Sequence, residues 1–294
     1  MKYINDKDYS REMKAFLTYE WYDGKGDDNV LCSVTDLFTP PKIYTLKEKH
    51  KDEIEIPLSR MEASQEGSAF HDTMQKILWE KFPHEYITEA RLTTEFNDKT
   101  ISGKFDAYHI ESKTLIDFKT TWNYKISKPD TLRQWRIQLN IYARMLREQG
   151  YEVDSLEIQY VLKDKANEYK GINSRYGVIE LELMSNYELE RIVNELINEK
   201  LSQPMRDCTS EEQWKRNPEY AVYKTGSKRA SKVLKSEAEV DLFLYGKNKE
   251  DYNVETRTFD PVRCLKWCPV KHFCDQWRAN SQREEDSEDD LPFI

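Results

Sequence analysis

Between residues 67 and 82 the apolar residues Phe70, Met74, Ile77, Leu78 and Phe82 return every three or four positions, the spacing of one helix face. Three strand-like runs follow, 86–96, 100–110 and 114–121, separated by the polar breaks Asn97-Asp98-Lys99 and Glu111-Ser112-Lys113. The first two runs read as a hairpin. Helical spacing resumes over 132–146, with Leu132, Trp135, Leu139, Tyr142 and Leu146 on one face. Alternation with period two marks a strand at 155–162 and another at 177–183, and a helix is expected over 186–201. The order α-β-β-β-α-β predicts an α/β core, a mixed sheet flanked by helices.

Outside this core the pattern loosens. Residues 1–60 form an N-terminal helical and loop segment: the Gly/Asp-rich stretch 23–28 reads as a loop. A short helix start is expected near Cys32, interrupted by Pro40 and Pro41 before a second helix, and 51–60 is a polar connector. The core is expected over 61–201. Residues 202–280 read as a Cys-rich C-terminal unit with two short strands, 220–224 and 230–235, and a helix at 237–245. Residues 281–294 are acidic and low in complexity, and are expected to be disordered.

Charged residues make up 34% of the chain and no run of 18 apolar residues occurs, so a transmembrane helix is excluded. MKYINDKDYSREMKAF has no apolar stretch after its first charges and does not read as a signal peptide, so a cytoplasmic location is expected. The formal net charge of -9 at first argues against a nucleic-acid partner. The last fourteen residues alone carry -5, which leaves -4 for the rest, a balance compatible with a locally basic groove.

Candidate chemistry concentrates in the strand runs. Asp106 follows a Gly-containing turn, expected at Gly103, and Asp117 and Lys119 sit two apart on one strand face. Two carboxylates and a lysine in otherwise apolar strands are costly unless a cation and a substrate use them. Phosphodiester hydrolysis fits: carboxylates hold a hard divalent cation, Mg²⁺ or Mn²⁺, and the lysine orients or deprotonates water. Asp106 and Asp117 are the expected ligands with the backbone carbonyl of Phe118, and Lys119 is the catalytic cation.

Gly103-x-x-Asp106 followed by Asp117-x-Lys119 resembles the PD-(D/E)XK nuclease signature. Gly67-Ser-Ala-Phe-His71 and Gln138-Leu-Asn-Ile-Tyr142 resemble two motifs of its RecB-like branch, a metal-binding His on the preceding helix and Q-x-x-x-Y on the following one. D-x-K alone recurs by chance; the order and placement of all four motifs carry the resemblance. It implies a PD-(D/E)XK nuclease core and a DNA nuclease, with exonuclease the expected mode, serving recombination, repair or phage DNA metabolism (in the host cytoplasm if phage-encoded). It also implies His71 as a metal ligand, with Gln138 and Tyr142 supporting the site or contacting DNA. Glu89 is an accessory acid, with Glu95 as its rival. No nucleotide-binding helicase motif is present, so a helicase, recombinase or single-strand-binding partner would be a separate chain. Two other readings are a nuclease-fold DNA-binding or adaptor subunit without catalysis, and a restriction-type endonuclease.

Cys264, Cys268 and Cys274 fall within eleven residues, which points to metal rather than a disulfide framework. The trio resembles that of iron–sulfur RecB-like nucleases, which implies a [4Fe-4S] cluster, with Zn²⁺ as the alternative. It departs from the family in its first gap and in having Thr39 where an N-terminal cysteine is expected. The fourth ligand is Cys208 or Cys32, with Cys208 preferred because it opens the same unit. The C-terminal DDLPFI resembles the acidic tip of single-stranded-DNA-binding proteins.

Overall fold

The computed structural model describes residues 2–21, 29–166 and 171–279. The Gly/Asp-rich stretch 23–28 and the acidic segment 281–294 lie outside these residues. The chain divides into two compact units, Met1–Thr39 with Glu55–Ser202 and Pro40–Ile54 with Gln203–Ile294.

The first unit begins with β1 (Lys2–Ile4), α1 (Arg11–Leu17) and β2 (Val30–Ser33). After α2 (Pro41–Lys49), which belongs to the second unit, it resumes with β3 (Glu55–Pro57) and the long helix α3 (Glu62–Lys81). Then come β4 (Tyr86–Thr88), β5 (Arg91–Phe96), β6 (Lys99–Lys104), β7 (Ala107–His109) and β8 (Thr114–Thr121). The short α4 (Asn123–Ile126) leads into α5 (Pro129–Glu148), followed by β9 (Ser155–Leu162), β10 (Tyr176–Leu181) and α6 (Asn186–Leu201). Pro129 starts α5 where its missing N–H costs nothing, and Gly150, at φ +89°, follows its end. Ser185 caps α6 by accepting from the Glu188 N–H.

The main sheet has five strands in the order β10-β9-β8-β7-β4. Only β8 and β9 are parallel, and α5 is the crossover between them. β8 lies at the centre with Leu115, Ile116 and Phe118 buried, as expected for a strand covered on both faces. On one side Phe118, Ile116, Ala107 and Leu78 cluster with Phe70 and Met74 of α3. The opposite side meets α5, whose Leu139, Ile141, Met145 and Leu146 are fully or almost fully buried. A second sheet of the same unit has the order β2-β6-β5.

The expected α/β order holds, with three differences in this unit. The runs 86–96 and 100–110 are not single strands: the first breaks after Thr88 and the second after Lys104, and their halves join different sheets. At the break Glu89 takes a positive φ of 54°, and its N–H donates to the Asp106 carbonyl at 3.1 Å. Neither Glu89-Ala90 nor Phe105-Asp106 contains a Gly or Pro, so no turn signal marks the bend. Gly103 is not in a turn but inside β6, paired with Leu92. Near Cys32 there is a strand rather than a helix start, because Val30, Cys32 and Ser33 pair in parallel with β6.

The second unit carries β11 (Glu219–Lys224), β12 (Lys232–Leu234), α7 (Glu237–Leu244) and β13 (Tyr252–Arg257). The three strands form one antiparallel sheet with β11 in the middle. Val222, Leu234, Val240 and Leu244 make its small core. β13 is additional to the two strands expected there. It is a largely exposed edge strand with little apolar alternation to announce it. No helix among the described residues is long and apolar enough to cross a membrane.

Candidate active site

The break shared by the two strand pairs is where the candidate ligands meet. Asp106 sits between β6 and β7, Glu89 between β4 and β5, and His71 on the face of α3 that covers the sheet. One ligand atom from each of the three lies within 4.8 Å of the other two. His71 Nδ1 is 3.1 Å from Asp106 Oδ1, and the other Asp106 oxygen accepts from the Phe118 N–H at 2.7 Å. Glu89 forms an ion pair with Lys104. A cleft beside the three is lined by Trp21, Ser68, Asp72, Gln75 and Lys104.

Asp117 and Lys119 are next to this group on β8. Lys119 Nζ is 2.5 Å from Asp117 Oδ2, an oxygen with no further hydrogen-bond partner among the described residues. Asp117 Oδ1 accepts from Gln138 Nε2 at 3.2 Å, and the same amide nitrogen donates to the Tyr142 hydroxyl at 3.3 Å. Gln138 and Tyr142 are one turn apart on the buried face of α5, 6% and 3% exposed. Gly103 accommodates this layer: a Cβ there would lie 2.9 Å from Val34 Cγ2 and closer still to the Tyr142 ring.

Burial and charge act against each other here. Asp106 and Asp117 are 7% and 3% exposed. Burial raises the pKa of Asp106, but His71, Lys119 and the Phe118 N–H together outweigh it, so this carboxyl ends below its ordinary value. Burial pushes Asp117 up to about 6, with Asp106 adding to the rise and Lys119 opposing it. For His71 and Lys119 burial favours the neutral form, and the neighbouring carboxylates outweigh it, raising both. Asp106 and Asp117 are thus matched by the His71 imidazole and the Lys119 ammonium, and Glu89 by Lys104. A divalent cation would compete with His71 and Lys104 for the same carboxylate oxygens.

The residues singled out in the sequence therefore meet in one place: His71, Glu89, Asp106, Asp117, Lys119, Gln138 and Tyr142. Glu89 stands inside the ligand group, whereas Asp117 is engaged with Lys119 and Gln138. Glu95, the rival of Glu89, lies on β5, exposed. Lys104, the ion-pair partner of Glu89, was not anticipated. Its only sequence signal is its position in Gly103-Lys104-Phe105-Asp106.

In the second unit Cys208, Cys264, Cys268 and Cys274 line one cavity together with Ile43, Leu46, Val270 and Trp277. Cys264 lies in a short π-helical turn, Arg263–Trp267, which ends at Cys268; Cys274 ends the 3-10 turn Lys271–Phe273. Cys208 is fixed by its backbone: its N–H donates to Gln276 Oε1, and its carbonyl accepts from Gln276 Nε2 and Gln213 Nε2. Lys42, 4% exposed, pairs with Asp207 and with Asp275 at 2.7 Å, so it holds the neighbours of Cys208 and Cys274 together. Burial, with help from the other cysteines, pushes the Cys208 thiol to about 12 and Cys264 to about 11. Thiols in this state become ligands only with a cation that offsets their charge. The other candidate, Cys32, is on β2 of the first unit, where it pairs with Ile101 and is 1% exposed. No disulfide is formed by any of the five.

No family model matches this sequence. No curated protein matches it either. Among solved structures, the crystal structure of SSO0001 superposes with a TM-score of 0.46 at 19% identity, covering 69% of this chain and 88% of that one. A phage-related exonuclease from Haemophilus somnus 129PT superposes with a TM-score of 0.38 at 15% identity, covering 58% of this chain and 91% of that one. At this distance neither likeness bears on what the chain does, and the site stands on its own geometry.

Proposed function

We propose that this chain is a divalent-metal-dependent deoxyribonuclease of the RecB-like branch of the PD-(D/E)XK nucleases, acting as an exonuclease. The observation that carries the reading is the convergence of His71, Glu89 and Asp106 beside a buried Asp117–Lys119 pair. Two carboxylates and one imidazole suit Mn²⁺ or Mg²⁺, the imidazole favouring Mn²⁺. A bound divalent cation supplies charge for the scissile phosphate and lowers the pKa of a coordinated water. His71, Asp106 and Asp117, with Glu89 and the Phe118 carbonyl beside them, are the residues that would hold it. Lys119 orients the attacking water and stabilises charge that develops on the phosphate oxygens. Gln138 holds Asp117 in place, and Tyr142 holds Gln138.

For the second unit we propose a structural cluster at Cys208, Cys264, Cys268 and Cys274. Four thiolates suit a multi-iron cluster, with a single zinc ion as the alternative.

Digestion of end-labelled linear and closed circular DNA with Mn²⁺ or Mg²⁺ tests the enzyme. Linear DNA should be shortened from an end and circular DNA spared, with EDTA stopping the reaction. His71→Ala should raise the Mn²⁺ concentration needed for half-maximal activity by about 10- to 100-fold, if its loss weighs like other changes around metal sites. Cutting of circular DNA would replace exonuclease by endonuclease. Binding without cleavage at any metal concentration would leave the adaptor reading.

A further inference from the structure

The β11–β12 hairpin gathers basic residues in a chain with 54 acidic and 45 basic residues. Residues 224–235, KTGSKRASKVLK, hold Lys224, Lys228, Arg229, Lys232 and Lys235 and no carboxylate. All five are exposed. Among the described residues their side chains make no ion pair, hydrogen bond or ring contact. Several arginines elsewhere are paired within the protein: Arg136 with Glu188, Arg144 with Glu148 and Glu190, Arg206 with Glu212. Lys224, Lys228, Arg229 and Lys232 gather at the tip, and Lys235 stands at the base of β12, where its N–H donates to the Glu239 carboxylate at 2.8 Å. Unpaired cations gathered in an acid-rich chain present an electrostatic footprint for an anion.

The hairpin is also a built element. Val222 and Leu234 anchor it in the core with Val240 and Leu244. Its tip is held by Ser227 N–H to Lys224 O at 2.8 Å, Ser231 N–H to Val222 O at 2.7 Å, and Arg229 N–H to Ser227 Oγ at 3.2 Å. Gly226, at φ +82°, makes the turn. Glu250 and Asp251 approach the base of the tip through their carbonyls, which accept from the Thr225 hydroxyl and N–H, and their carboxylates pair with none of the five cations. What the tip lacks is an apolar anchor: over 224–232 the only hydrophobic side chain is Ala230, whereas protein interfaces centre on aromatic and large apolar groups. Lysines, one arginine, hydroxyls and turn N–H groups are the donors that contact phosphates.

We infer that the β11–β12 hairpin is a contact for the DNA phosphate backbone, made by Lys224, Lys228, Arg229, Lys232 and Lys235. It is separate from the metal-ligand residues and rests on the nuclease reading above. Such contacts add affinity without reading sequence, and each phosphate neutralised adds about 0.9 to the salt slope on duplex DNA or about 0.7 on a single strand.

The test is fluorescence anisotropy of a labelled oligonucleotide with the full-length protein. Ca²⁺ replaces Mg²⁺, and salt runs from about 50 to 200 mM. In Lys228→Ser/Arg229→Ser/Lys232→Ser the slope of log affinity against log salt should shrink by about 2 to 3. Lys228→Arg/Lys232→Arg should keep it, and Lys49→Ser/Lys51→Ser/Lys266→Ser, which removes the same charge elsewhere, should leave it largely unchanged. Turnover at saturating DNA should stay at the unaltered level while the DNA concentration for half-maximal rate rises. An unchanged slope in the hairpin variant, an equal loss in the control variant, or polyglutamate competing as well as DNA would each overturn the inference. Failure of the nuclease reading is a different result, the absence of metal-dependent cleavage by the unaltered protein.

Discussion

His71, Glu89 and Asp106 stand at the edge of a packed sheet; Cys208, Cys264, Cys268 and Cys274 stand on turns and loop. α3 is held on the sheet by Phe70, Met74 and Leu78, Asp106 is fixed by the Phe118 N–H and by His71, and Glu89 pairs with Lys104, so packing and these polar contacts bring the ligand atoms within 4.8 Å. The cysteines are held by polar ties: Lys42 to Asp207 and Asp275, and Gln276 to the Cys208 backbone. Their small neighbouring core is the four-residue cluster of the β11 sheet. The contrast separates two uses of a ligand set. A preorganised one is suited to chemistry, where geometry must precede the reaction. One built on loops is suited to a metal that completes the fold, since its binding free energy is then folding free energy.

The sharpest way to break this contrast is to remove charge from the first set without touching its packing. Lys119→Ala or Asp117→Ala should reduce the DNA cleavage rate by about 10²–10³-fold or more, the usual cost of losing one group that stabilises transition-state charge. DNA binding and the unfolding temperature should change little, because the sheet and α5 hold the site. Near-normal single-turnover cleavage by either variant would show that the Asp117–Lys119 pair is structural.

The second region should respond in the opposite sense. Cys268→Ser removes one of four ligands at a buried position, 6% exposed. It should lower both the metal content and the unfolding temperature. Cleavage per folded molecule should persist. Iron and zinc analysis of anaerobically purified protein checks the centre directly; a brown protein with iron supports the cluster, and a colourless one with zinc supports the alternative. If neither metal is found and Cys268→Ser melts with the unaltered protein, the cysteines are ordinary buried thiols and the comparison loses its second half.

The two regions also differ in how far the sequence disclosed them. β8, β9 and α6 match their expected limits, because a buried strand and an amphipathic helix imprint a regular period on the residues. Asp106, Asp117 and Lys119 could be picked out for a related reason, as charged residues in otherwise apolar strands, whereas His71, Gln138 and Tyr142 were legible only through the family motifs they resemble. The bend at Glu89 and Asp106 was hidden because neither break carries the Gly or Pro that usually marks a turn. Lys104 was hidden as one more lysine on a strand. In the second unit the cysteines announced themselves by type, but Lys42 lies more than 160 residues before Cys208 in the chain, and its burial depends on partners no local pattern reveals. The sequence-level choice of Cys208 over Cys32 rested on the unit it opens; in the structure Cys208 lines the cysteine cavity.

The smallest expected effect tests whether packing is what preorganises the first site. Gly103 lies inside β6, where an added methyl would press on the Tyr142 ring and on Val34. Both neighbours are buried, so neither side chain has free space into which to turn. Gly103→Ala should therefore destabilise the protein by about 1–3 kcal/mol, the usual cost of overpacking. It removes no ligand and no charge, yet the strain falls on Tyr142, whose hydroxyl accepts from Gln138, which in turn holds Asp117. Cleavage should fall along with stability. Tyr142→Phe in the same background keeps the ring and its clash while removing the hydroxyl, so it should leave the stability loss in place. Gly103→Ala/Tyr142→Ala makes room for the methyl and should make the two stability costs less than additive, which thermal unfolding of the four members of the cycle measures. If the costs simply add, the ring does not press on position 103, and the layer beneath Asp117 is not built as described.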